Sequence, residues 1–466
     1  MDTSSLPFLL ALALQSPPAT DPPSVAAPTL LERRGAVFRL RYHGVEETPA
    51  AVAQAEAALK LVERTWPIAT RLLGADPKPP AAPLTVNLHR TIAGYEAAEQ
   101  ALTGGKFRRN LAMTAHADGS AHVALQPPCS DETLRAVGLP GLTLALLAWE
   151  ATHVVRMHHC ANHLGHPMWL VDGLASSVAR EAMGAELTLP GFAIPQFAKH
   201  QQRSLDLATA RKLPPLAEVL GDRIDELDLP ERYAVRATAF AFLASDARAT
   251  RLGALLKQAR QLGDGDGLAA EIGRLALKSF GDQGKAFERH VAALQPEWDE
   301  DSRSLLPRGK EWVQVAFPGT NAVAWRREPI KGGIAASGAV RILPADGRQL
   351  NFLFGRSGGD FFSLALVADV GWTLFDHHAE DDRWERFASE HVPALRLGYQ
   401  STFALTATGS TLELRLDDQK WAVALPRPFP AESQWGLGAQ AATQGERATG
   451  SAGIWSALDV KAAKGR

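Results

Sequence analysis

Two stretches decide how this chain is read: Trp149-Glu150-Ala151-Thr152-His153, and Pro167-Met168-Trp169-Leu170-Val171-Asp172-Gly173-Leu174-Ala175, which starts 14 residues after His153. A Glu and a His three positions apart share one face of a helix, where the imidazole can hold a metal ion and the carboxylate can activate its bound water. The apolar run at residues 142–148 leads directly into this pair and predicts that both lie on a helix. A zinc helix of the H-E-x-x-H type would need a second imidazole four residues before His153. That position holds Trp149. Its indole nitrogen carries a proton and only donates, so it cannot serve as a ligand.

Together the two stretches resemble the gluzincin metallopeptidases, particularly the peptidase MA-like group, whose second motif has the form P-x-W-L-x-E-G-L-A with the Glu as third zinc ligand. The matching positions here are Pro167, Trp169, Leu170, Asp172, Gly173, Leu174 and Ala175. Asp172 stands 19 residues after His153, a separation that suits a helix, a loop and a second helix folding back on the first. The resemblance implies Glu150 as general base and His153 and Asp172 as metal ligands. It fails at two of the three ligand identities, Trp149 and Asp172. Disturbing only a ligand's supporting partner typically loses about 10–100-fold in metal affinity, so deleting a ligating imidazole should remove at least ~3 kcal/mol. Asp for Glu keeps a carboxylate but shortens its reach by one methylene, and Zn–O distances of about 2.0–2.2 Å leave little slack. The expectation is a degenerate peptidase domain without an ordinary catalytic zinc. The plainer alternative makes Trp149 a core side chain, Glu150 an ion-paired helix residue and His153 a hydrogen-bonded core group.

His158, His159, Cys160, His163 and His166 follow the motif helix within nine residues. Histidine-rich short tracts are a metal-binding composition, so a relocated site drawing on His158, His159 or His163 is one reading. The order matches no zinc-finger or ribbon spacing, and a solvated polar loop is the other.

At 466 residues the chain is too long for one ordinary core, and two or three domains are expected. With 49 basic against 51 acidic residues, a formal charge of −2 gives no electrostatic case for nucleic acid or an anionic membrane as partner. The apolar run at residues 6–14 is too short to span a bilayer, which takes about 20 residues. Its length suits a signal-peptide core with small residues near 16–19, although Asp2 precedes it and no Lys or Arg does. Export, to the periplasm, cell envelope or medium, is the expectation, with residues 1–34 as signal peptide and Pro/Ala-rich linker. The two cysteines, Cys129 and Cys160, would pair in an exported protein or sit as small buried hydrophobes otherwise.

Alternation at residues 36–42, a helical period over 49–73, and strands at 84–88 and 121–125 place a small sheet ahead of the motif helix. That order resembles the gluzincin sheet, whose edge strand binds the peptide substrate. Residues 35–200 are accordingly expected to form a gluzincin-like α+β domain. Residues 201–307, rich in Ala, Leu, Arg and Glu at helical spacing, are expected to form a helical subdomain, with Gly263-Asp264-Gly265-Asp266-Gly267 as an interhelix turn.

After Pro307 the period falls to two. Runs at 313–317, 339–343, 350–354, 361–367, 411–416 and 421–425, separated by Gly and Asp turns, predict a β-sandwich over 308–466. Its closing stretches at 436–440 and 453–460 resemble concanavalin A-like jelly rolls of the laminin G and lectin type. Jelly-roll glucanases need paired acids at E-x-D-x-x-E spacing, and the run from Glu413 to Asp417 does not have it. Trp325, Trp372, Trp384, Trp421, Trp435 and Trp455 either fill the core or stack on sugar rings.

Three function classes follow. The first is a non-catalytic protein that binds polypeptide in the gluzincin-like cleft and glycan or protein on the jelly roll. The second is an active zinc metallopeptidase with an altered ligand set, zinc being the cofactor in that case alone. The third is a scaffold without a ligand.

Overall fold

The computed structural model describes residues 29–106, 110–125, 131, 134–135, 138–139, 141–184, 195–294, 298–300, 305–308, 311–316, 321–343, 348–440, 443–444, 447–448 and 451–463. The expected signal peptide and most of its linker lie outside them, as does Cys129.

The chain opens with β1 (Leu30–Arg34), β2 (Phe38–His43), α1 (Pro49–Leu73), β3 (Leu84–His89), α2 (Ile92–Thr103), β4 (Ala112–Ala115) and β5 (Ser120–Ala124). The strands form one sheet in the order β1-β2-β3-β5-β4, with β2, β3 and β5 parallel and both outer strands antiparallel to their neighbours. Alternation decides what each face meets. Phe38, Leu40, Tyr42, Val86, Leu88, Ala121 and Val123 face the core shared with α1. Helix α1 starts where Thr48 accepts a hydrogen bond from the Ala51 N–H and stops at Gly74, whose φ of 56° is left-handed.

Eight helices follow among the described residues: α3 (Gly141–His159), α4 (Met168–Gly184), α5 (Pro195–Thr209), α6 (Leu216–Leu220), α7 (Leu229–Leu243), α8 (Asp246–Ala259), α9 (Leu268–Phe280) and α10 (Gly284–Ala292). Helix α3 packs beneath β5, β3 and β4 and against α1 and α4, and α4 packs in turn on α7. Gly173 makes that second contact possible. A Cβ there would collide with Phe240 Cβ and lie 3.0 Å from the Arg236 carbonyl oxygen, so only glycine lets α7 come this close. Trp169 and Phe240 then bury their rings together, centroids 6.4 Å apart.

The rest of the described chain is all β: β6 (Trp298–Glu300), β7 (Leu305–Arg308), β8 (Glu311–Ala316), β9 (Asn321–Arg326), β10 (Ile330–Lys331), β11 (Gly333–Ile342), β12 (Gln349–Ser357), β13 (Asp360–Val367), β14 (Gly371–His378), β15 (Arg383–His391), β16 (Gln400–Thr408), β17 (Thr411–Leu416), β18 (Gln419–Ala424), β19 (Glu432–Gln440), β20 (Thr443–Gln444), β21 (Arg447–Ala448) and β22 (Ser451–Ala463). Two antiparallel sheets result, β15-β14-β13-β12-β19-β9-β6 with β10 beside β19, and β18-β17-β16-β11-β22-β8-β7. Between them lies a second core that holds Phe352, Phe354, Phe362, Leu364, Phe403, Leu405 and Trp455. Strand β17 shows the logic most plainly: Leu412, Leu414 and Leu416 are buried while Thr411, Glu413 and Arg415 are exposed. Strands β6 and β7, which begin before residue 308, already pair with β9 and β8. The C-terminal region is thus an all-β sandwich, and what precedes it is α+β.

Candidate functional site

Glu150 and His153 both lie on α3, which puts the carboxylate under the edge strand β4. There Thr114 Oγ1 donates to Glu150 Oε2 at 2.6 Å. Burial pushes the Glu150 carboxyl up to about 7, against the Thr114 hydrogen bond. His153 Nδ1 is buried without a hydrogen-bond partner, and burial together with Arg156 and His116 takes the imidazole down to about 3, so it is neutral at pH 7. Trp149, half-buried, meets His153 edge to face at 6.2 Å and Tyr233 of α7 at the same distance. Its ring therefore fills space between two aromatic rings.

Asp172 on α4 is where the sequence expectation and the structure part. Its Oδ2 accepts from Arg236 Nη1 at 3.1 Å, and both side chains are buried. The other guanidinium nitrogen, Nη2, donates to Asp222 Oδ1 at 2.9 Å. Asp222, held at a φ of 53°, uses its second oxygen to accept the Met168 N–H at the start of α4. Burial raises Asp172 to about 6, outweighing the neighbouring Arg236. Arg236 comes 64 positions after Asp172, and the close approach permitted by Gly173 is what brings it in.

These residues do not fit a zinc ion. The carboxylate expected as a ligand is engaged by a guanidinium, and the indole at Trp149 offers no lone pair. Among the described residues no group of three or more His, Cys, Asp or Glu is placed to hold a metal.

The histidine tract divides rather than converges. His158 and His159 pack against Trp66 of α1 at 5.6 and 4.8 Å. His163 stacks on His116 and shares a 3.2 Å hydrogen bond with it. His166 bonds Asn162, whose amide donates to the Ala259 and Leu262 carbonyls and so pins the loop to α8. Arg156 reaches back to the His163 carbonyl at 2.6 Å. Cys160 is a free buried thiol, pushed up to about 11 by burial.

Sequence reading missed a second histidine group. His43, His89 and His122, from β2, β3 and β5, stack in a row on the sheet face opposite the core, with successive centroids 4.8 and 5.3 Å apart. His89 Nε2 and His122 Nδ1 are 3.0 Å apart, and Ser120 and Asn87 occupy His122 Nε2. Burial lowers His89 to about 3 and His122 to about 4, so both are neutral partners in a closed network. Alternation around each strand was the available signal: the three positions share one face.

In the sandwich the tryptophans divide between core and surface. Trp455 and Trp372 are core residues, and Trp325 is buried as well. Trp384 is 44% exposed. It contacts His377 at 4.7 Å, Phe361 at 5.5 Å and Phe375 at 6.1 Å, and Phe361 in turn meets Trp325 at 5.0 Å. Phe361 alternates with the core residues Phe362 and Leu364, so this array lies on the outer face of its sheet. Arg356 sits over the Trp325 ring at 4.9 Å, and Asp382 accepts from His377 at 2.9 Å.

No protein-family model matches the sequence, and no curated protein does. Among solved structures the chain is similar to a carbohydrate-binding module from Bacillus subtilis, at 12% identity and a TM-score of 0.29, over 36% of this chain and 96% of that one. It is also similar to a toad ovary galectin in complex with thio-digalactose, at 11% identity and a TM-score of 0.23, over 31% and 99%. A third is the exoplasmic/lumenal domain of VIP36, at 12% identity and a TM-score of 0.27, over 37% and 86%. At such scores these likenesses carry no argument. Among the described residues no helix is long and apolar enough to cross a membrane.

Proposed function

We propose that this protein is a non-catalytic, exported two-part binding protein, with a gluzincin-derived N-terminal part that holds polypeptide and a concanavalin A-like sandwich that binds glycan. In this division residues 35–200 are the gluzincin-like α+β domain, the helices that follow, down to Ala292, are its helical subdomain, and the sandwich begins with β6 rather than at residue 308. One observation carries the reading: Arg236 supplies, as a fixed guanidinium, the positive charge that a metal would bring to Asp172. Trp149 closes the first ligand position, and Glu150 is left with a threonine hydroxyl instead of a polarised water. On this reading Glu150, His153 and Asp172 descend from a peptidase site that has lost its ion. His158, His159 and His163 stand apart from it, which argues against the relocated site.

The test is elemental analysis of the purified full chain together with a casein and peptide cleavage assay. The expected result is well under one equivalent of zinc and no cleavage. Close to one zinc per chain, lost on His153→Ala, would overturn the reading in favour of the active peptidase.

The sandwich half of the proposal rests on Trp384, exposed beside the partly buried rings of Phe361, Phe375 and His377. Aromatic faces pack on the apolar faces of pyranose rings, and a lone exposed hydrophobe needs no explanation where a contiguous ring array does.

A further inference from the structure

We propose that the helical region holds a separate site, a cavity that takes a small molecule bearing an oxyanion, carboxylate or phosphate. The cavity measures about 300 Å³ and lies among α4, α5, α7 and α10. Ser176, Ser177 and Arg180 line it from α4, Thr238 from α7, and the imidazole-bearing His200 and His290 from α5 and α10. Among the described residues no acidic side chain lines it. Hydroxyls and nitrogen bases on four helices, with no carboxylate, make a lining that favours negative charge and has hydrogens to offer it.

Two observations separate a ligand site from a packing gap. The Ser177 Oγ is buried and has no hydrogen-bond partner among the described residues. Buried hydroxyls are ordinarily bonded, so this one calls for an acceptor that the described residues do not supply. Arg180, exposed at the rim, forms no ion pair among the described residues. A third point concerns Thr238: its Oγ1 and the Ser204 Oγ share one hydrogen bond at 2.9 Å, which leaves one hydroxyl hydrogen of the pair for another acceptor.

Size narrows the class. Ligand pockets run from about 300 to 1,000 Å³, and this one is at the small end, room for a few-carbon acid or phosphate ester and not for a peptide or oligosaccharide. The site is distinct from the Asp172–Arg236 pair, although it shares that pair's two helices: Ser176 lies one turn beyond Asp172 on α4, and Thr238 two residues beyond Arg236 on α7.

The experiment uses the full chain, titrated calorimetrically with glycerol 3-phosphate, succinate, inorganic phosphate and, as the neutral control, glycerol. Saturable one-to-one binding of a phosphate or a carboxylate probe, with a rise in Tm and none with glycerol, is the expected result. Comparing glycerol 3-phosphate with succinate decides which oxyanion is preferred. Arg180→Gln should weaken the better probe by at least about tenfold, as loss of a charge-assisted hydrogen bond does. Ser177→Ala should also weaken it while leaving the Tm of the free protein unchanged or higher, because an unpartnered hydroxyl has been removed. The proposal is overturned by failure of all three anions to saturate, by binding that Arg180→Gln leaves intact, or by glycerol binding equally well. A lower Tm for ligand-free Ser177→Ala would overturn it too, since that hydroxyl would then be serving the fold.

Discussion

The paired motif helices and the outer face of the sandwich handle polar and aromatic groups in opposite ways. At α4 and α7 Asp172 and Arg236 are buried against one another, and Arg236 also reaches the partly exposed Asp222. On the sandwich, Trp384 and His377 meet at the surface, and Trp384 keeps 44% of its area exposed. The first arrangement balances its charges internally, so removing one member should unbalance it; the second leaves the Trp384 ring partly open, so removing that ring should matter chiefly to something outside the chain. Stability and binding are therefore the two measurements that separate them.

The largest effect belongs to the buried pair. Arg236→Met leaves Asp172 without its counter-charge in a buried site, a loss of about 3–5 kcal/mol in urea unfolding at pH 8. Replacing both partners, as Arg236→Met with Asp172→Leu, should restore most of it, because two matched apolar groups remove the uncompensated charge. The single-mutant loss should shrink at pH 5. Asp172 already sits at about 6, and without Arg236 it takes up a proton more readily. A single mutant within 1 kcal/mol of the parent would break the comparison, for the pair would then be no more than a surface contact.

Next in size is a pH effect at Glu150. Its folded value of about 7 lies above the ordinary 4.5, so the native state holds a proton that the unfolded chain releases. Glu150 thus contributes fully below pH 4.5, and that contribution falls away as pH rises to about 7, by roughly 3 kcal/mol in all. Glu150→Gln should flatten this slope and leave the variant more stable than the parent at pH 8. Parallel unfolding curves for parent and variant between pH 4.5 and 8 would show that Thr114 and its surroundings hold the carboxylate ionised.

How much of this was legible follows from the range of each interaction. The strand at residues 84–88, the helix at 49–73 and the alternation in 411–416 are written in local periods, and they occur as Leu84–His89, Pro49–Leu73 and Thr411–Leu416. Glu150 and His153 fall on one helix because three residues are less than one turn. Nothing local says that Arg236 will reach Asp172, since that contact depends on two helices closing over Gly173. The row His43, His89 and His122 likewise needs the strand order β2-β3-β5, which a hairpin count cannot supply. Which tryptophan is core and which is surface was also closed to sequence: Trp372 and Trp384 stand on neighbouring strands, yet Trp372 points inward and Trp384 outward.

The smallest expected change in stability is at that outward ring. Trp384→Ala removes contacts to His377, Phe361 and Phe375 but opens no cavity in the core, so unfolding should shift by about 1 kcal/mol, the scale of an exposed aromatic pair. Binding should respond far more. If a glycan stacks on this array, the ring is its anchor, and losing an interface anchor typically removes 2 kcal/mol or more, about 30-fold in affinity. Calorimetric titration of the full chain against soluble oligosaccharides, parent beside variant, reads this directly. A variant that keeps parental affinity would move the glycan off this face, whereas a loss of several kcal/mol in stability would mean that Trp384 belongs with Trp455 as a residue the fold itself requires. Either result would erase the contrast between a closed network in one half of the chain and an open one in the other.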